Sequence, residues 1–145
     1  YVQRSCWEDA IHTNERCFGN HRDENFRPIE ERGQLEFLDG DEEILPGLNV
    51  ILTNGHAKGH QMVMFTHGGE RILYLGDLVP THHHLNLGVI SAFDDSPDET
   101  LQQKKDVLSD AEKQGWLLVF SHGQQPKAGY LERRGDHAYL RPVEF

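Results

Sequence analysis

The stretch Thr53 to Asp77, TNGHAKGHQMVMFTHGGERILYLGD, carries two histidines and an acidic residue on either side of one hairpin. A glycine precedes each of the first two histidines, Gly55 before His56 and Gly59 before His60. Glycine lets a backbone turn tightly beside a ligand without steric cost, so both imidazoles are expected on a loop. Asp77 follows the apolar run Ile72 to Leu75. A carboxylate placed there is poorly solvated and must pair, accept backbone hydrogen bonds or bind a cation. Another apolar run, Leu117 to Phe120, ends in Ser121-His122. A histidine of the first pair, Asp77 and His122 make a set of two imidazoles and one carboxylate. Such a set suits Zn, Mn or Fe(II) with positions left open for water, and a bound metal lowers the pKa of water toward about 7. On spacing alone the same residues read equally as partly buried histidines and a turn-capping aspartate.

The order GHAKGH, hairpin, LYLGD and then FSH resembles the metallo-β-lactamase superfamily, especially its lactonase-like and phosphotriesterase-like metallohydrolases. The resemblance extends over nearly all of the chain and over the C-terminal part of the family fold. It implies that His60 is a metal ligand, that Asp77 is the carboxylate that bridges two metals, and that His122 is the last ligand. His56 falls at a motif position that is usually not a ligand. The HxHxDH ligand cluster of the family has no counterpart in the sequence. The implied activity is that of a metal-dependent hydrolase, in which a metal-bound hydroxide attacks an activated phosphotriester, lactone or ester. With the upstream cluster missing, one Zn per chain is expected, with Mn or Fe as substitutes. The other reading is a metal-binding remnant without turnover, or a fragment of a longer two-metal hydrolase.

His82, His83 and His84 are consecutive. Three adjacent side chains cannot converge on one centre from regular structure, so at most one or two of them serve a site. DLVPT followed by HL is similar to the segment after the bridging aspartate in the family. That resemblance gives His84 a catalytic role beside Asp77, as an extra ligand or a proton donor.

The elements that must hold these residues follow from period and turn chemistry. A chain of 145 residues is one domain by size. Tyr1 to Ile11 reads as a short helix with Ser5 available as its N-cap. His12 to Asn25, with Cys17, Phe18 and the Asn20-His21-Arg22 run, reads as loop, and Asn25 to Gly33 as another short helix. Strands are expected at Leu35 to Leu38, Ile44 to Leu45, Leu48 to Leu52, on both sides of the His67-Gly68-Gly69-Glu70 tip, at Trp116 to Phe120, at Ala128 to Glu132 and at His137 to Val143. Ser96, Pro97 and Glu99 read as a capping box that opens a helix to Gln114, with Gly115 as its stop. Leu101, Val107, Leu108 and Ala111 mark its apolar face, and the lysines and aspartates the outer one.

The resemblance implies an α/β (α+β) fold: an N-terminally truncated metallo-β-lactamase domain over residues 1–145, a mainly antiparallel sheet with flanking helices, half of an αββα sandwich. One apolar sheet face then lacks its cover. A second copy is the simplest cover, so a homodimer is expected. Because the sequence opens at Tyr1 rather than Met, a segment upstream is expected to have been removed or lost.

A formal charge of −10 argues against nucleic acid, whose phosphates are met by clustered Lys and Arg. No run approaches the ~20 apolar residues of a membrane span, and no charged-then-apolar leader opens the sequence. The expected partner is a small-molecule ester, lactone or phosphotriester. Two cysteines, Cys6 and Cys17, are too few for a disulfide scaffold and read as free thiols, with the cytoplasm as the expected compartment.

Overall fold

The computed structural model describes residues 1–15, 19, 21–135 and 137–144, with only the backbone of Arg134 and His137. Cys17, Phe18 and Asn20, assigned to a loop from the sequence, lie outside the described residues. Strand β1 (Val2–Gln3) leads into α1 (Arg4–Ile11), and α2 (Asp23–Glu31) is followed by β2 (Phe37–Leu38). The remaining strands are β3 (Glu42–Leu45), β4 (Leu48–Leu52), β5 (Gln61–His67), β6 (Glu70–Tyr74), β7 (Leu117–Val119), β8 (Ala128–Arg134) and β9 (His137–Pro142). They form one seven-stranded sheet in chain order. Every pairing in it is antiparallel except β6 with β7. Between those two run a short 3₁₀ turn (His82–Leu85) and the long helix α3 (Pro97–Gln114). A parallel pair requires such a crossover, and the crossover places α3 on one face of the sheet.

The hairpin turns where the sequence says. His67 pairs with Glu70, and Gly68 and Gly69 have φ of 58° and 86°. Both central residues of this two-residue loop therefore need positive φ, which glycine supplies freely. On the face toward α3, Met62, Met64, Leu73 and Leu118 are buried with Leu108 and Ala111 of the helix. Alternation along the strands sends their neighbours to the other face. There Phe65 pairs with Ile72, Val63 with Tyr74 and Ile72 with Leu117. Phe65, Ile72 and Tyr74 remain exposed, as expected of a sheet with one face uncovered. No helix among the described residues is long and apolar enough to cross a membrane.

Three local expectations change. The first helix is preceded by a strand, and its N-cap is Gln3 rather than Ser5. Gln3 is buried because its amide donates to Gly40 O at 2.8 Å and accepts from Gly40 N–H at 2.9 Å. That long-range pair, with β1 parallel to β2, outweighs the local capping preference. Ser96 is the N-cap of α3 but makes no side-chain capping bond, so the capping box is not formed; Gly115 does close the helix, at φ 67°. Lys104, expected on the outer face of α3, is fully buried. Its ammonium donates to the carbonyls of Val89 at 2.7 Å, Asn86 at 3.0 Å and Leu87 at 3.5 Å. An amine can be buried where carbonyls take up its hydrogens.

Candidate metal and catalytic site

The loop between β4 and β5 closes on itself. Thr53 N–H donates to His60 O at 2.6 Å and His60 N–H to Ala57 O at 3.0 Å, while Asn54 Oδ1 accepts from Gly59 N–H at 2.9 Å. Gly59 has φ 74°, as a tight turn requires. Gly55 serves a different purpose: a Cβ there would meet Thr100 Cα of α3 at 2.6 Å. The loop thus packs flush on the first turn of α3. His56 and His60 are fixed by this packing, with ring centroids 5.6 Å apart.

His60 is gripped at both ring nitrogens. Thr53 Oγ1 meets Nδ1, and Asp77 N–H donates to Nε2 at 2.9 Å. Nε2 is therefore the unprotonated nitrogen and Nδ1 the donor. Burial first, and then the charge of His56, push its pKa down to about 4 against the pull of Asp77 and Asp94. The ring is neutral at pH 7, the form in which histidine binds a metal.

Asp77 sits just past the end of β6, between two imidazoles. Its Oδ2 is 3.3 Å from His56 Nε2 and its Oδ1 is 3.2 Å from His122 Nε2. Ser121 Oγ lies 2.7 Å from the same Oδ1 and 2.8 Å from Gly76 O. Burial alone pushes the carboxyl pKa up. The Ser121 hydrogen bond and the charges of His56, His122 and His60 more than reverse this, and the group is held below the usual carboxylate range. His122 is placed by its own N–H, which donates to Pro80 O at 2.9 Å. Its side chain is 64% exposed, so it is the ligand candidate most open to solvent.

The structure thus brings His60, Asp77 and His122 to one place, together with His56. His84 has its Nδ1 on Thr81 Oγ1 at 2.8 Å. Burial and then Lys104 lower its pKa, while Asp94 pulls the other way. The rings of His82 and His83 lie against each other, 3.9 Å between centroids. Among the described residues no group of three or more His, Cys, Asp or Glu has the arrangement of a ready metal cage. The donor chemistry nevertheless fits a metal: an ionised carboxylate, an exposed imidazole, and a neutral imidazole whose lone pair is held only by one backbone N–H.

Several residues of this site escaped the sequence reading. Thr53 and Ser121 are hydroxyl residues close to the histidines, and Asp94 and Thr100 belong to none of the motifs in the sequence. Asp94 Oδ1 is 2.8 Å from His56 Nδ1, and Thr100 Oγ1 donates to Asp94 Oδ2 at 2.7 Å. The one sequence signal is negative: an acid three residues before an apolar-faced helix, with no basic neighbour to pair with.

The family model described as "Metallo-beta-lactamase superfamily" matches residues 6–122. The chain belongs to the metallo-β-lactamase superfamily. Solved structures agree on the fold. A probable metal-dependent hydrolase from Staphylococcus aureus superposes with a TM-score of 0.86 at 24% identity, over 99% of this chain and 52% of that one. The hydrolase AbOPH of the β-lactamase superfamily gives 0.81 at 19% identity, over 100% and 55%. AidC, a dizinc quorum-quenching lactonase, gives 0.75 at 17% identity, over 99% and 54%. The chain therefore spans about half the length of these superfamily relatives. No curated protein sequence matches it significantly.

Proposed function

We propose that this superfamily chain is a metal-dependent hydrolase acting on an activated phosphotriester, lactone or ester, with His60, Asp77 and His122 holding one transition metal, Zn before Mn or Fe. The observation that carries this reading is the Asp77 carboxylate, held ionised between His56 and His122 and beside the neutral Nε2 of His60. A metal bound there supplies water of lowered pKa and polarises the substrate oxygen. The chain's own residues do the rest. Ser121 orients Asp77, Thr53 fixes the His60 tautomer, and exposed His122 borders the solvent from which substrate enters. His84, with Nδ1 taken by Thr81, has Nε2 for a proton transfer to the leaving group or for an extra ligand bond. A site with few ligands has less transition-state stabilisation to offer, so good leaving groups are favoured.

A second reading, a metal-binding unit without turnover or a fragment of a longer two-metal hydrolase, is favoured by the chain's span of about half the length of its solved relatives, 52% of the Staphylococcus aureus hydrolase. One experiment separates the two. Protein purified without added metal is analysed for elements alongside His60→Ala, and both are assayed on an aryl ester and an aryl phosphotriester. The hydrolase reading expects metal in the wild type and less in His60→Ala, with turnover that stops with chelator and returns with Zn. Metal without turnover leaves the second reading, and equal metal in both proteins removes His60 from the site.

A further inference from the structure

A groove runs along the second half of α3, and neither metal binding nor hydrolysis as described above uses it. It measures about 380 Å³ and lies between the 3₁₀ turn, the segment just after that turn, α3 and the last two strands. Its floor is Leu85, Leu108 and Leu131, all buried, and Leu87 on its wall is exposed. The helix contributes Lys105, Leu108 and Ser109, which share one face because residues three and four apart on a helix are neighbours. Ser109 follows Thr100, on which the His56 loop packs, by nine residues of α3. At the helical rise that is about 14 Å along the axis, so the groove is separate from the Asp77 site.

The polar groups over this floor are donors. Among the described residues Lys105 Nζ and Ser109 Oγ have no partner, and they stand one helical turn apart. Glu112, the next acid on the same face, is already held by Arg133, whose Nε donates to Oε1 at 3.0 Å and Nη2 to Oε2 at 2.9 Å. Its charge is therefore matched, and Lys105 carries the unpaired charge of the rim. On a chain of net charge −10 that cationic rim is a local feature. A carboxylate brings one negative charge and two acceptor oxygens, which suits an ammonium beside a hydroxyl, and the leucine floor suits an alkyl tail. We infer that the groove binds a medium-chain carboxylate, with its head group on Lys105 and Ser109 and its tail on Leu85, Leu108 and Leu131. The volume falls at the small end of ligand pockets, about 300–1,000 Å³, which fits octanoate and is too small for a diacyl lipid. The assignment does not rest on the hydrolase reading.

The test titrates the full chain, kept metal-free with chelator, with octanoate and follows it by ¹H–¹⁵N NMR, with hexanoate, octanol and octylammonium alongside. Octanoate is expected to give saturable shifts at the amides of Leu85, Leu87, Lys105, Ser109 and Leu131, and none at Phe65 or Tyr74 on the open sheet face. It binds up to about 15-fold more tightly than hexanoate, the value for two fully buried CH₂ groups, and octylammonium leaves the groove amides unmoved. Lys105→Gln weakens octanoate about two- to fivefold, as the loss of an exposed ion pair does, and leaves octanol unchanged. Lys105→Glu weakens octanoate further, and Leu87→Ser weakens octanoate and octanol together. All three substitutions are at exposed positions, and their amide spectra show that the fold is kept. The inference is overturned by the absence of saturable shifts in the groove, by octanoate shifts that map to Phe65 and Tyr74 instead, by octylammonium binding as tightly as octanoate, or by wild-type octanoate affinity in Lys105→Gln and Lys105→Glu.

Discussion

Lys104→Met tests whether the buried ammonium of α3 is placed as described. Methionine keeps most of the stem volume and removes the donors to Val89 O, Asn86 O and Leu87 O. Hydrogen bonds to a charged group contribute about 1.5–3 kcal/mol, and a carbonyl left buried without a partner costs about 1–3 kcal/mol. Part of that loss is offset because the variant no longer buries a charge. Burial, opposed in part by Asp94, pushes the Lys104 pKa down to about 8 from 10.5. The net effect at pH 7 is therefore modest, and its pH dependence is the informative quantity. Between pH 8 and 10.5 the unfolded chain holds the lysine proton while the folded chain has released it, so wild-type stability rises with pH in that window. The rise is at most about 1.4 kcal/mol per pH unit for one proton. Below pH 8 both states are protonated and the slope vanishes. The neutral amine still donates two hydrogens, enough for Val89 O and Asn86 O, so the loop stays anchored. Urea unfolding of wild type and Lys104→Met at pH 7, 8, 9 and 10 gives the difference in stability, in which other titrating groups cancel. A difference that widens in favour of the wild type above pH 8 is expected. A flat difference would refute the reasoning, since it would mean that the amine titrates as it does in water.

Gly55→Ala is expected to destabilise the chain by about 1–3 kcal/mol, the usual cost of overpacking, because its Cβ would lie 2.6 Å from Thr100 Cα; thermal unfolding at wild-type midpoint would show that the β4–β5 loop does not pack on α3 as described. For assembly, the exposed rungs of Phe65, Ile72 and Tyr74 are proposed to be covered by a second copy pairing face to face. Light scattering at micromolar concentration then gives twice 16.6 kDa, and a well-folded monomer refutes the pairing.

Much of the fold was legible because its signals are local. The glycine pair of the His67–Glu70 tip, the apolar runs of β5 and β6, and Gly115 at the end of α3 each fix structure within a few residues, and each is found in place. The order of the chemical motifs was legible too, and it led to the family that the domain match shows. What the sequence left undecided is the side-chain wiring. Period analysis put Lys104 on the outer face of α3, because charge alone favours solvent; in the fold, three loop carbonyls converge on it and bury it. Ser96 has the local form of a capping residue yet makes no side-chain cap, and β1 forms by pairing with β2 and by the Gln3 side chain meeting Gly40 thirty-seven residues away. Asp94 becomes part of the site through contacts with His56, thirty-eight residues earlier, and with Thr100. Sequence spacing determines which residues share a turn, a strand face or a helix face. Which buried polar groups satisfy one another is decided only when distant segments are packed together, because an unpaired polar group is costly only once water has been excluded.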